Sequence, residues 1–135
     1  ALADARAIDL GVSALDPAAT VLGDGDAMRT LLANLVANAL CHTPAGGKVD
    51  VSCGIDAARV WLEVADNGPG IPAEERERVF DRFYRRSGQS PSGSGLGLAI
   101  VRTIARRHKA AVCLDDTPGG GLSARVVFPA SARPA

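Results

Sequence analysis

Two hydrophobic periods, set side by side, constrain what this chain can fold into. From Asp26 to Cys41, apolar residues recur at Met28, Leu31, Leu32, Leu35, Val36, Ala39 and Leu40. That is the spacing of a helix with one buried stripe. Directly after it, Val49, Val51, Cys53 and Ile55 alternate, and Val60, Leu62 and Val64 alternate again. Period-2 patterning predicts two strands, joined by a turn near Asp56-Ala57-Ala58. A helix with one apolar stripe beside strands with one apolar face points to helices packed on a sheet.

The rest of the chain extends that layout. Ile8, Leu10 and Val12 predict a half-buried strand over 5–12, broken at Asp16-Pro17. A short strand is expected around 20–22, before Asp24, a suitable helix N-cap. Thr43-Pro44 with Gly46-Gly47 ends the first helix. Pro72 is expected to open a short acidic-then-basic helix over 73–79. A second amphipathic helix is expected over 96–108, with Leu98, Val101, Ile104 and Ala105 on its stripe. Strands near 110–115 and 122–128 follow, separated by Pro118-Gly119-Gly120-Gly121. No repeat or linker interrupts the 135 residues, so a single domain is expected over 1–135. Its fold class is α/β: a two-layer sandwich with helices on one face of a mixed, largely antiparallel sheet.

Composition narrows the partners. Fifteen Lys+Arg balance fifteen Asp+Glu, which removes the broad basic footprint of a nucleic-acid binder. Aromatic residues are 4%, too few for a base-stacking platform. Thirteen of the basic residues are Arg, favouring forked contacts with carboxylates or phosphates at chosen points. No apolar run reaches the roughly 18 residues of a bilayer span, and Ala1–Arg6 lacks the layout of a signal peptide. Cys41, Cys53 and Cys113 have no metal-type spacing and read as reduced thiols in or near the core.

Four clusters carry chemistry. Asn34 and Asn38, spaced i, i+4, project from one face of the first helix. An amide oxygen there can coordinate Mg²⁺, a hard cation; the pair could equally be satisfied by nearby backbone. Asp66-Asn67-Gly68-Pro69-Gly70 follows a Val/Leu strand. An Asp at a strand end can accept from an exocyclic amine, and Gly68 and Gly70 permit close backbone approach; the same letters also write an ordinary turn. Phe80-Asp81-Arg82-Phe83-Tyr84-Arg85 would anchor two aromatic rings in the core and leave Arg85 and Arg86 at a loop edge, in reach of phosphate oxygens. The plainer reading is a helix end with solvated arginines. Last, Gly93-Ser94-Gly95-Leu96-Gly97-Leu98 runs into a helix, and free N–H groups there can cradle an anion. It has neither the Lys-Ser/Thr of a P-loop nor the dinucleotide glycine spacing.

In this order and spacing, the four clusters resemble the ATP-binding catalytic domain of two-component sensor histidine kinases. Asn34-Leu35-Val36-Ala37-Asn38-Ala39 with His42-Thr43-Pro44 looks like the N box, and Asp66 to Pro72 like the G1 box. Phe80 to Arg85 looks like the F box, and Gly93 to Val101 like the G2 box. The likeness covers residues 20 to 129. It implies the fold shared by histidine kinases, DNA gyrase, heat-shock chaperones and mismatch-repair ATPases. It also implies ATP and Mg²⁺ as ligands. By resemblance, Asn38 binds the metal, with Asn34 near metal and phosphates. Asp66 holds the adenine amino group, Gly68 and Gly70 shape the adenine pocket, and His42 lies near adenine or ribose. Arg85 reaches the terminal phosphate, with Arg86 beside it. Residues 81–95 form an ATP lid, with disorder expected near Ser87–Ser94. Gly93, Gly95, Leu96, Gly97 and Leu98 bring backbone to the phosphates.

Two positions discriminate further. Hydrolytic relatives of this fold carry Glu where this chain has Asn34. A neutral amide cannot take a proton from water, so Asn34 favours phosphoryl transfer to a protein. Many relatives carry Lys or Arg three residues after the metal Asn, where this chain has Cys41. A thiol cannot replace that phosphate contact, and more weight falls on Arg85 and Arg86. Neither His42 nor His108 sits in a phosphoacceptor motif of the Ser-His-Glu-Leu-Arg-Thr-Pro kind. The expected partners are therefore ATP, a separate dimerisation domain carrying the acceptor His, and a response regulator downstream. No autophosphorylation of the 135-residue chain alone is expected. A monomeric, cytoplasmic unit without membrane contact is expected, cut from a membrane-anchored protein. The alternatives are a nucleotide-sensing regulatory module and a hydrolytic ATPase of the gyrase or chaperone class.

Overall fold

The first helix, α1, runs from Gly25 to His42 and is capped at both ends by side chains. Asp24 Oδ1 accepts from the N–H groups of Asp26 and Ala27, filling donors that a helix start leaves open. At the other end Thr43, fully buried, donates both its N–H and its hydroxyl to the Ala39 carbonyl. In this computed structural model, which describes residues 8–16, 19–81 and 97–132, α1 buries Leu31, Leu35, Ala39 and Leu40. These are members of the stripe that defined it in the sequence.

The stripe lies on a five-stranded sheet of order β1-β2-β3-β5-β4. The strands are β1 (Asp9–Leu15), β2 (Lys48–Asp56), β3 (Arg59–Asp66), β4 (Ala111–Asp116) and β5 (Leu122–Val127). β1 pairs parallel to β2, with α1 as the crossover, and every other pairing is antiparallel. Register puts Val51 beside Val64, Val64 beside Ala124 and Leu114 beside Ala124. The alternating residues thus share one face under the helices. The second helix, α2 (Gly97–Arg107), adds Leu98, Val101, Ile104 and Ala105 to the same core. Lys109, at φ 56°, turns the chain out of α2, and the Ala110 N–H bonds back to the Ala105 carbonyl. Among the described residues no helix is long and apolar enough to cross a membrane.

The structure departs from the sequence reading in four places. β1 runs to Leu15 rather than stopping at 12, and residues 5–7 lie outside the described part. No strand forms at 20–22; Val21 packs on the core, and the Leu22 N–H donates to the Ala132 carbonyl. The helix expected over 73–79 is instead two single 3-10 turns, Ala73–Glu75 and Arg78–Phe80. Residues 74–78 are all charged, so a continuous helix there would have no apolar face to bury. Cys113 is exposed rather than near the core, because it alternates to the open face of edge strand β4. Cys41 and Cys53 are half-buried free thiols.

Candidate functional site

Three side chains of α1 form its polar border. Asn34, Asn38 and His42 are spaced i, i+4, i+8 and are all half-buried. Eight residues of helix rise span about 12 Å. At the upper end, Asn34 Nδ2 donates to the Thr30 carbonyl at 2.8 Å. Asn34 Oδ1 faces Gly97, the first residue of α2. A Cβ added at Gly97 would come within 3.3 Å of it. At the lower end, a Cβ at Gly68 would lie 2.8 Å from the His42 carbonyl. The border therefore runs from the start of α2 to the loop after β3. Between these ends, the Asn38 side chain makes no hydrogen bond with a described residue.

Asp66 closes β3 and is 5% exposed. Its Oδ1 accepts two backbone N–H groups, Gly68 at 2.9 Å and Leu122 at 3.1 Å. A buried carboxylate is tolerable only when hydrogen-bonded, and these donors fix its orientation. Oδ2 has no hydrogen bond from a described residue, which leaves one acceptor of a buried carboxylate directed by the other. Asn67 Oδ1 accepts from the Lys48 N–H at 2.7 Å. That bond ties the loop to the start of β2. Gly70, at φ 75°, then carries the chain past Gly121. Arg76 holds the far side, donating Nε to the Ile71 carbonyl and pairing with Asp116 at 2.7 Å.

Sequence reasoning brought together most of this corner but missed part of its floor. Gly121 has φ 111°, and a Cβ there would overlap the Asp66 carbonyl. The Leu122 N–H next to it is one of the two donors that hold Asp66. From the sequence, Pro118-Gly119-Gly120-Gly121 reads only as a turn between strands; three consecutive glycines exceed what a hairpin needs, and that is the available signal. Gly47 belongs to the same floor, because a Cβ there would overlap the Thr43 methyl.

The structure thus brings Asn34, Asn38, His42, Asp66, Gly68, Gly70 and Gly97 to one side of α1. Leu98 is 6% exposed and its side chain sits in the core; only its backbone can face a ligand. Arg85, Arg86, Gly93, Gly95 and Leu96, with the lid expected over 81–95 apart from Asp81, lie outside the described residues.

Comparison with known proteins gives the family of the chain. The family model described as histidine kinase-, DNA gyrase B- and HSP90-like ATPase matches residues 23–132. The histidine-protein kinase/phosphatase MprB of Mycolicibacterium vanbaalenii is 44% identical over 121 residues, 85% of this chain and 25% of that protein. The sensor-like histidine kinase SenX3 of Mycobacterium tuberculosis is 41% identical over 113 residues, 82% of this chain and 28% of that protein. The chain therefore spans about a quarter of the length of the curated relatives it matches. Among solved structures, a mycobacterial sensor histidine kinase MprB superposes with a TM-score of 0.82 at 33% identity, covering 99% of this chain and 90% of that one. Full-length ShkA in complex with AMPPNP gives 0.79 at 30% identity, over 95% of this chain and 27% of that one. The chain belongs to the histidine kinase-, DNA gyrase B- and HSP90-like ATPase family, and within it to the sensor histidine kinases.

Proposed function

We propose that residues 1–135 form one catalytic domain that binds Mg-ATP along the polar border of α1. It would supply the machinery for moving the γ-phosphoryl to a histidine on a separate dimerisation domain. The observation that carries this reading is Asp66. It is a buried carboxylate with one oxygen fixed by two backbone donors. Its other oxygen suits an exocyclic amine, and an adenine amino group would satisfy it. The ShkA complex with AMPPNP supports an adenine nucleotide as the ligand.

The other roles follow the border upward. Gly68 and Gly70 shape the adenine end, with His42 beside adenine or ribose. About 12 Å further along α1, Asn34 and Gly97 mark the phosphate end, a separation that fits an extended nucleoside triphosphate. Asn38 has an amide oxygen not engaged by a described residue, which suits a hard cation, and Asn34 lies one turn away. Bound there, Mg²⁺ would neutralise charge on the phosphate oxygens. Arg85 would meet the terminal phosphate with Arg86 in support, and backbone of Gly93, Gly95, Leu96, Gly97 and Leu98 would line the phosphates. Phosphoryl transfer rests on positioning and charge stabilisation more than on a base. Asn34 fits that requirement, since its amide already donates to Thr30 and cannot deprotonate water.

The whole protein would be a membrane-anchored sensor kinase with this domain in the cytoplasm, acting on its own dimerisation domain and then on a response regulator. Replacing Asn38 tests the metal role. Calorimetric titration of ATP into Asn38→Ala, with and without Mg²⁺, should show nucleotide binding that no longer responds to the metal. An undiminished Mg²⁺ effect in that variant removes Asn38 as the ligand.

A further inference from the structure

Arg76 joins the two walls that meet at Asp66. It follows the first 3-10 turn, Ala73–Glu75. Its Nε donates to the Ile71 carbonyl at 3.1 Å, and its Nη2 meets Asp116 Oδ1 at 2.7 Å. Ile71 comes directly after Gly70 in the loop that leaves β3. Asp116 closes β4 and pairs across the ladder with Leu122. The Leu122 N–H is one of the two donors that hold Asp66 Oδ1, and the Gly68 N–H is the other. The loop and the β4–β5 turn already lie against each other, since a Cβ added at Gly70 would come within 3.2 Å of the Gly121 carbonyl. One guanidinium therefore fastens the loop that supplies one donor to the strand pair that supplies the other. The Arg76 side chain is 22% exposed and that of Asp116 80%, so the ion pair is screened and adds little stability by itself. Its consequence is geometric. A planar guanidinium can serve a carbonyl and a carboxylate at once from fixed directions, which an ammonium cannot do as well.

We infer that Arg76 is a positioning residue for base selection at the nucleotide site, acting through Leu122 and Asp66. This role rests on the Mg-ATP reading above. An exocyclic amine donates to a carboxylate held in one place, whereas a base with a carbonyl at that position, as guanine has, sets oxygen against oxygen. The discrimination is as sharp as the placing of the carboxylate. Without Arg76 the loop and the β4–β5 turn can part, the Leu122 donor shifts, and Asp66 can turn from the base. The amine then loses its acceptor and the carbonyl loses its repulsion. Arg76 thus sets the preference for adenine over guanine. The phosphate end, at Asn34 and Gly97, is held by separate contacts and does not depend on it.

The test titrates Mg-ATP and Mg-GTP by calorimetry into the wild-type chain, Arg76→Ala, Arg76→Lys, Asp116→Asn, Asp66→Asn and the double variant Arg76→Ala/Asp66→Asn, with thermal melting recorded for each. Arg76→Ala should weaken ATP by about tenfold, the equivalent of about 1.4 kcal/mol, and change GTP by less than about twofold. Arg76→Lys should recover part of the loss, because it keeps a cation for Asp116 and gives up the second fixed donor. Asp116→Asn should cost ATP about twofold, as expected for a screened pair. In the Asp66→Asn background, Arg76→Ala should cost ATP less than about twofold, because residues that act through one another do not add. A purely structural role would lower the melting temperature and weaken both nucleotides together. That pattern, an unchanged ATP-to-GTP ratio, or a full tenfold loss persisting beside Asp66→Asn overturns the inference. Wild-type chain that binds neither nucleotide, or both alike, overturns the Mg-ATP reading itself. Should Arg76→Ala fail to fold, the ATP-to-GTP ratio in Arg76→Lys and Asp116→Asn decides the matter.

Discussion

The β2–β3 ladder ends in two ways that follow opposite rules. At one end Asp56 pairs with Arg59 across a two-residue turn. There Ala57 and Ala58 sit at φ 50° and 66°, both exposed. Left-handed backbone at both positions is what a tight hairpin requires, and Asn or Gly would take it more readily than Ala. At the other end Val49 pairs with Asp66, and the chain leaves the sheet through Asn67 and Gly68. Here glycine stands where a Cβ has no room: Gly68 against the His42 carbonyl, Gly121 against the Asp66 carbonyl. Backbone conformation alone did not select glycine at the first end. Contact between backbones selects it at the second. The glycines of the Asp66 corner therefore mark where three segments, the end of α1, the loop after β3 and the β4–β5 turn, must touch.

The largest effect should come from filling the floor of that corner. Gly121→Ala combines a positive φ with an overlap of main chain on main chain, which no rotamer can relieve. A loss of about 3 kcal/mol or more is expected, read as a lower urea midpoint. A midpoint equal to wild type would show that the β4–β5 turn can move away without cost and would remove the contrast between the two ends.

Next comes the carboxylate that the floor supports. In Asp66→Asn the amide oxygen can still accept the Gly68 and Leu122 N–H groups, so the fold should hold. The amide nitrogen cannot accept from adenine and adds a donor facing another donor. A loss of about 2 kcal/mol in ATP affinity is expected, roughly 30-fold, with little change in melting temperature. Equal ATP affinity by calorimetry would remove Asp66 from the adenine site. Gly68→Ala should fall below both, at about 1–2 kcal/mol of stability, because the loop can shift by a fraction of an ångström away from His42.

What the sequence made legible was what repeats. α1, α2 and the β2–β3 pair each carry a period, and their boundaries came within one or two residues because packing rewards the same stripe that the period displays. The 73–79 segment departs from its expected helix because charge order suggests one while no apolar stripe is there to hold it. The Asp66 corner was only half legible. Asp66, Gly68 and Gly70 are neighbours in sequence, and a resemblance to known motifs reached them. The Leu122 N–H that orients Asp66 lies 56 residues away, and no local pattern couples the two. The same holds for Arg76, whose partner Asp116 lies 40 residues away on another element. Contacts of that kind arise from the fold, and only coordinates disclose them.

The smallest predicted effect tests the tolerant end. Ala57→Asn keeps the two-residue turn and places there a residue that enters left-handed backbone more readily than alanine. It avoids the extra unfolded-chain entropy that glycine would bring. A gain of about 0.5–1 kcal/mol in stability is expected, with ATP affinity unchanged, since the turn lies at the opposite end of the ladder from Asp66. If the same substitution altered nucleotide binding, strain at the hairpin would be transmitted along β2 and β3 to the corner. The two ends would then be one mechanical unit, and the glycines near Asp66 would need an explanation beyond local contact.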